Sequence, residues 1–308
     1  MRDDFVKRLS QLAAADDRIM LLTADLGFGV LTDFAGKFPR QFLNVGVAEQ
    51  NMTGLATGMA LEGLVVFTYS IGNFPTLRCL EQIRNDAVYH AANVKIVSVG
   101  SGFSYGSLGM SHHATEDLAI LRAIPGITIF SPCDSWEAME ATEAAVKTPG
   151  TCYLRLDKSA AGRNEAPEEQ FVMGQSRLRR KGNDLTIIAT GGITEEAMKA
   201  AEALSKQKIE TRVLGVHTLR PLDPASILAA ARDTGGIITL EEHTVEGGLG
   251  GLVAEILLEN GAAPKRFRRM GLRQGFSSIV GSQTYLRQRY QMDAAAVERT
   301  AHELLRMR

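Results

Sequence analysis

An α/β fold in two parallel-sheet-rich domains is the architecture this sequence predicts, and three observations point to it. Short apolar runs rich in β-branched residues recur along the chain, helix-like segments fill the intervals between them, and one polar, charged stretch divides the runs five to three. Parallel strands can be joined only through a crossover, so strands that alternate with helices imply parallel sheets. Length agrees: at about 150 residues per domain, a chain of 308 residues makes two domains, each able to bury a core of its own.

The elements follow in order. IMLLTAD (19–25) is an apolar run of the kind buried on both faces of a parallel sheet. AEQNMTGLATGMAL (48–61) suits a helix, LVVFTYS (64–70) a strand, 76–92 a second helix and VKIVSVG (94–100) a third strand. ITIFSP (127–132) and TCYLRL (151–156) read as strands either side of a helix at 135–147. Polar residues without apolar periodicity then fill 161–184, which reads as an interdomain connection. Beyond it come strands LTIIATG (185–191), TRVLGVHTL (211–219) and GIITLEEH (236–243), with helices at 194–206 and 249–260. The expected division is a domain over 1–163, a linker over 164–183 and a smaller domain over 184–308.

Charge and cysteine content remove several functional classes. Lysine and arginine number 34 against 35 aspartates and glutamates, a formal net charge of -1, so there is no general field for nucleic acid or an anionic membrane. No apolar run reaches the ~20 residues of a membrane helix, and the opening MRDDFVKRLSQLAAADD has no signal-peptide core. Cys79, Cys133 and Cys152 have no CxxC spacing, which fits reduced thiols and no metal cluster on this chain. A cytoplasmic protein without nucleic-acid or membrane partners is expected.

Among residues that could carry chemistry, Glu49 is set in Val45, Val47, Ala48, Met52, Leu55 and Ala56. Apolar surroundings disfavour a charged carboxylate, which suits it to give or take a proton; a plain acid at a helix N-terminus is the other reading. Phe67, Tyr69 and Phe74 are aromatics that could stack on a flat ring or only pack. Asp25, at a strand end, is either a turn residue or a site acid. The His112–His113 pair in SHHATED could hydrogen-bond a ligand and move protons near neutrality, or lie on the surface.

GVAEQNMTGLATGMALEG (46–63), QIRNDAVYHAANVKIVSVG (82–100), SHHATEDLAILRAIPGITIFSPCDSWEA (111–138), LTIIATG, RPLD (220–223) and LEEHTVEGGLGG (240–251) together resemble, in order, the thiamine-diphosphate enzymes of the transketolase superfamily. The resemblance covers nearly the whole chain and matches a C-terminal half: a pyrimidine-binding domain followed by the transketolase C-terminal domain. It implies that Glu49 hydrogen-bonds the aminopyrimidine ring and activates the cofactor. Phe74, with Tyr69 as an alternate, would stack on the pyrimidine. Asp25 would lie near the thiazolium, and His112, His113 and Lys158 would face substrate.

The family's GDG…N segment, which holds the diphosphate and Mg2+ through oxygen ligands, does not occur in these residues. The resemblance therefore implies an N-terminal partner subunit carrying it, in an α2β2 heterotetramer in which this chain also dimerises. Departures lie at the substrate end: Leu108 stands where the family has an acid for sugar hydroxyls, Gly100 where it has a phosphate-binding histidine, about Gly29 where it has a serine, and Lys158 where it has an arginine. Fewer charge-assisted donors weaken a phosphate site. The expected reaction is transfer of a two-carbon ketol unit from a ketose donor to an aldehyde or keto-sugar acceptor, in specialised sugar biosynthesis. A β-subunit of a 2-oxo-acid dehydrogenase and a non-catalytic scaffold subunit are the competing readings.

Overall fold

A computed structural model describes residues 1–158, 169–273 and 275–306. The first half runs α1 (Arg2–Ala13), β1 (Ile19–Thr23), α2 (Thr32–Lys37), β2 (Phe42–Asn44), α3 (Glu49–Leu61), β3 (Val65–Ile71), α4 (Leu80–Gln82) with a wider helical turn on to Val88, β4 (Val94–Val99), α5 (Asp117–Arg122), β5 (Thr128–Phe130), α6 (Ser135–Lys147) and β6 (Cys152–Leu156). The second half runs β7 (Arg177–Arg180), β8 (Leu185–Ala189), α7 (Thr194–Ser205), β9 (Thr211–Gly215), β10 (Thr218–Arg220), α8 (Ala225–Asp233), β11 (Ile237–Thr244), α9 (Leu249–Glu259), β12 (Phe267–Leu272), α10 (Gln283–Arg289) and α11 (Ala294–Arg306).

Two sheets result, one of seven strands in the order β10-β5-β6-β4-β3-β1-β2 and one of five in the order β12-β11-β8-β9-β7. Pairing is parallel throughout except at β10–β5 and β7–β9. Alternation along the central strands explains the layers. Val66 and Ile96 point into a core shared with Met52 and Ala56 of α3, whereas Phe67 and Val97 point into one shared with Phe5 of α1 and Ala138 of α6. The second sheet is covered on one side by α7 and α11 through Ala197, Ala201, Val297 and Leu304.

The single strand expected over 211–219 is two. Between them Val216 donates its N–H to Ala189 in the second sheet at 2.8 Å, and His217 offers its carbonyl to Ser131 in the first at 2.8 Å. The chain thus passes from one sheet to the other, and β10 adds an antiparallel edge to the first domain's sheet. Pro221 follows, with no N–H to continue the ladder. The expected linker 164–183 also holds structure, because β7 lies within it. Arg177 there is drawn in by buried Asp134 and Glu137, at 2.7 and 3.2 Å. The expected domain boundary at 163 lies outside the described residues. No helix among the described residues is long and apolar enough to cross a membrane.

Candidate active site

Glu49 begins α3 and is 3% exposed. A carboxylate so placed needs a partner, and Arg78 supplies it: Nη1 donates to Oε2 at 2.8 Å. The other oxygen, Oε1, makes no hydrogen bond among the described residues. Arg78 lies in a short helical turn after β3, its guanidinium 4.6 Å from the centre of the Phe74 ring. Phe74 in turn meets the His112 ring edge-on, 5.1 Å between centres. The two loops that carry Phe74 and His112 approach closely at Gly72, φ +51°, where an added Cβ would stand 3.2 Å from the His112 carbonyl oxygen. Three expected residues, Glu49, Phe74 and His112, are therefore brought together, with Arg78 joining the first two.

His112 is half-buried, and its Nδ1 lies 3.0 Å from the Ser111 hydroxyl. Burial, and then the neighbouring His113, lower its pKa, so the neutral ring is favoured near pH 7. Tyr105 stands 6.4 Å from the His112 ring, and the exposed Lys158 ammonium lies 4.9 Å from the centre of the Tyr105 ring. Gly100, φ +102°, leaves the space that Tyr105 fills, since a Cβ there would fall within 2.5 Å of the tyrosine ring. A line of side chains thus runs from Glu49 through Arg78, Phe74, His112 and Tyr105 to Lys158.

Other expected residues are placed differently. His113 is buried, its ring edge-on to Phe103 at 5.1 Å and its Nε2 3.2 Å from the Gly106 carbonyl; that placement braces the loop and offers no exposed nitrogen to a sugar. Tyr69 lies on β3 at 2% exposure, stacked on Phe5 at 6.2 Å, and Phe67 is buried beside it. Both alternate aromatics point to the α1 side of the sheet and pack in the core, because the pleat sends residues 67 and 69 to the same face. Asp25, half-buried with φ +56°, follows β1 and is fixed by Asn44, whose Oδ1 accepts the Asp25 N–H at 2.9 Å and whose Nδ2 donates to the carboxylate at 3.2 Å.

Arg78 and Tyr105 were not among the expected residues. A signal for Arg78 exists in the sequence: a buried acid implies a cation, and Arg78 is a basic residue one helical turn beyond Phe74. Chemically the arrangement offers a carboxylate oxygen with no hydrogen bond among the described residues and a half-buried aromatic ring, which is what an aminopyrimidine needs for a hydrogen bond to a ring nitrogen and an apolar face. No group of three or more His, Cys, Asp or Glu side chains that could hold a metal ion occurs among the described residues.

Comparison with known proteins bears on the same elements. The profile "Transketolase, pyrimidine binding domain" matches residues 1–163, and "Transketolase, C-terminal domain" matches residues 174–297. The chain belongs to the transketolase family. It is 38% identical, over 99% of its own length and 94% of the relative's, to the 6-deoxy-6-sulfo-D-fructose transketolase subunit SqwH of Clostridium sp. (strain MSTE9). It is 36% identical, over 99% of its length and 97% of the relative's, to a subunit of the apulose-4-phosphate transketolase of Phocaeicola vulgatus. Among solved structures, "Split gene transketolase, inactive beta4 tetramer" matches with a TM-score of 0.88 at 34% identity, covering 99% of this chain and 97% of that one. The chain is thus a subunit of the split transketolase type, a transferase component, and membership of the family implies use of thiamine diphosphate.

Proposed function

We propose that this chain is the pyrimidine-binding subunit of a two-chain transketolase that moves a two-carbon ketol unit from a ketose to an aldehyde or keto-sugar acceptor. The observation that carries the reading is the Glu49–Arg78–Phe74–His112 arrangement, in which a buried carboxylate with no hydrogen bond to Oε1 among the described residues is tied through Arg78 to a half-buried ring. Thiamine diphosphate, when bound, supplies a nucleophilic carbon and an electron sink for breaking the ketose carbon–carbon bond. Glu49 would hold a proton at Oε1 against the pyrimidine nitrogen while Arg78 fixes Oε2. Phe74 would orient the ring, Asp25 would face the thiazolium side, and His112, Tyr105 and Lys158 would receive the sugar. A neutral His112 can take or give a hydrogen bond to a substrate hydroxyl.

Magnesium and the diphosphate are assigned to a partner subunit with a GDG…N segment, within an α2β2 assembly in the cytoplasm. The division into domains at 163 and 184 is part of the same reading. Two relatives are named for 6-deoxy-6-sulfo-D-fructose and for apulose 4-phosphate, which supports a specialised sugar rather than the xylulose 5-phosphate and ribose 5-phosphate pair. The test is co-purification with such a partner and an assay of ketol transfer, with Glu49→Gln alongside. Transfer that is lost in Glu49→Gln is the expected outcome. Turnover of a 2-oxo acid with an electron acceptor would make it a dehydrogenase subunit, and an unaffected Glu49→Gln complex would make it a scaffold.

A further inference from the structure

His112 projects from a loop whose base is closed by the second domain. Gly102 and Ala114 exchange backbone hydrogen bonds at 2.9 and 3.0 Å, forming a bridge at the two ends of the loop. Glu242, on β11 and 3% exposed, sits against that bridge. Its Oε1 accepts the backbone N–H of Phe103 at 2.5 Å and the Gln283 amide at 3.0 Å, while Oε2 accepts from Arg287. Gly102, φ +55°, leaves no room beside it, since a Cβ would stand 2.5 Å from the Glu242 side chain.

The same strand holds the other end of the loop. Arg155 Nη2 donates to the carbonyls of Ala114 and Glu242 at 2.9 and 3.1 Å, and the Thr244 N–H donates to the Thr115 carbonyl at 2.8 Å. Further along, the Gly281 N–H reaches the Gly106 carbonyl at 3.2 Å, and the Phe103 ring stacks on Tyr290 at 5.5 Å. The Thr244–Thr115 and Gly281–Gly106 bonds and the Phe103–Tyr290 stack join the loop or its base to the second domain, and Arg155 of β6 ties Ala114 to β11 by donating to both, whereas Glu49, Arg78 and Phe74 are held within the first.

We infer that Glu242 is a positioning residue: it fixes the base of the 102–114 loop and thereby the place of His112 over Phe74. A carboxylate suits the task because it accepts from an amide, a side-chain amide and a guanidinium at once, each bond strengthened by its charge. Acting through the loop, Glu242 serves the sugar end of the site and leaves the pyrimidine end untouched. The inference rests on the assignment of His112 to the sugar.

Two measurements test it. In the full chain, amide hydrogen exchange over 102–113 should rise about tenfold in Glu242→Ala, the worth of one charge-assisted hydrogen bond. Glu242→Gln, which keeps an oxygen for the Phe103 N–H, should fall between it and wild type, and Gln283→Ala serves as the milder variant if Glu242→Ala does not fold. In the complex with its partner, kcat/KM should fall about tenfold while cofactor Kd stays within about twofold, and Glu242→Ala added to His112→Ala should lower the rate no further. Unchanged exchange over 102–113, or losses that simply add in the double variant, overturns the inference. Wild-type activity in His112→Ala instead overturns the sugar-site reading, and the exchange result then decides the loop anchoring by itself.

Discussion

Replacing Arg78 by Met keeps an apolar stem against Phe74 and removes the cation bonded to Glu49. Glu49 has a side chain 4% exposed and Arg78 one 46% exposed, at 2.8 Å. A pair of two exposed residues is worth about 0–1 kcal/mol, and breaking a wholly buried one costs about 3–5 kcal/mol. With one partner buried and the other half in water, the loss in Arg78→Met should be about 1–2 kcal/mol. Most of it arises because Glu49 is left unpaired in apolar surroundings. Glu49→Gln, which leaves only the half-exposed Arg78 charge unpaired, should lose less, and the double variant should regain part of the Arg78→Met loss. Urea unfolding of the full chain at pH 7 measures all four corners, with a coupling of about 1 kcal/mol expected. A coupling indistinguishable from zero would refute the claim that Arg78 balances the buried carboxylate. In the active complex the same variant should lower kcat by about tenfold or more, since an unfastened carboxylate no longer presents Oε1 in a single orientation.

Gly102→Ala should destabilise the chain by about 2–4 kcal/mol, combining overpacking with a left-handed backbone, because the new methyl would lie within 2.7 Å of both side-chain and backbone atoms of Glu242; a melting temperature equal to wild type would contradict the close packing of the loop base. The His112 ring should titrate by NMR below the ~6.5 of a free histidine, since burial and His113 both disfavour its charge. Its contribution to stability is then complete above about 6.5 and lost as pH falls through the lower folded value; a midpoint at or above that of free histidine would show that the ring is neither desolvated nor close to His113.

How much of the fold was legible follows from where each strand sits. The strands read from the sequence are interior ones, such as β3 and β4, nearly every position of which is buried. Those missed or merged are β2, β7, β10 and β12, which form the four edges of the two sheets. Edge strands need no continuous apolar run, and charged residues there discourage pairing with other chains. RLRR in β7 and FRRMGL in β12 carry that composition, so an apolarity criterion passes over them. β10 was hidden for another reason, since its residues continue β9 without a break in hydrophobicity while the hydrogen bonds at Val216 and His217 change sheets.

The site divides along a similar line. Glu49, Phe74 and His112 were legible as candidates because each belongs to a local motif, and topology draws these positions, separated by dozens of residues, together. Tyr69 lies in the α1-side core, apart from Phe74, because strand parity, not proximity in sequence, decides which face an aromatic reaches. Gly100 is the instructive case. Read residue by residue, it is a lost histidine and so a weakened anion site. In three dimensions its missing side chain is the space taken by Tyr105, whose ring centre lies 6.4 Å from that of His112 and 4.9 Å from the Lys158 ammonium. On the proposed reading, the substrate end would be rebuilt rather than emptied: a phenol and a cation would stand where the family's imidazole is expected, a pair able to hold hydroxyl and anionic groups of a sugar. A motif read position by position does not show this arrangement, because Tyr105 lies at a different position from Gly100, whose space it fills.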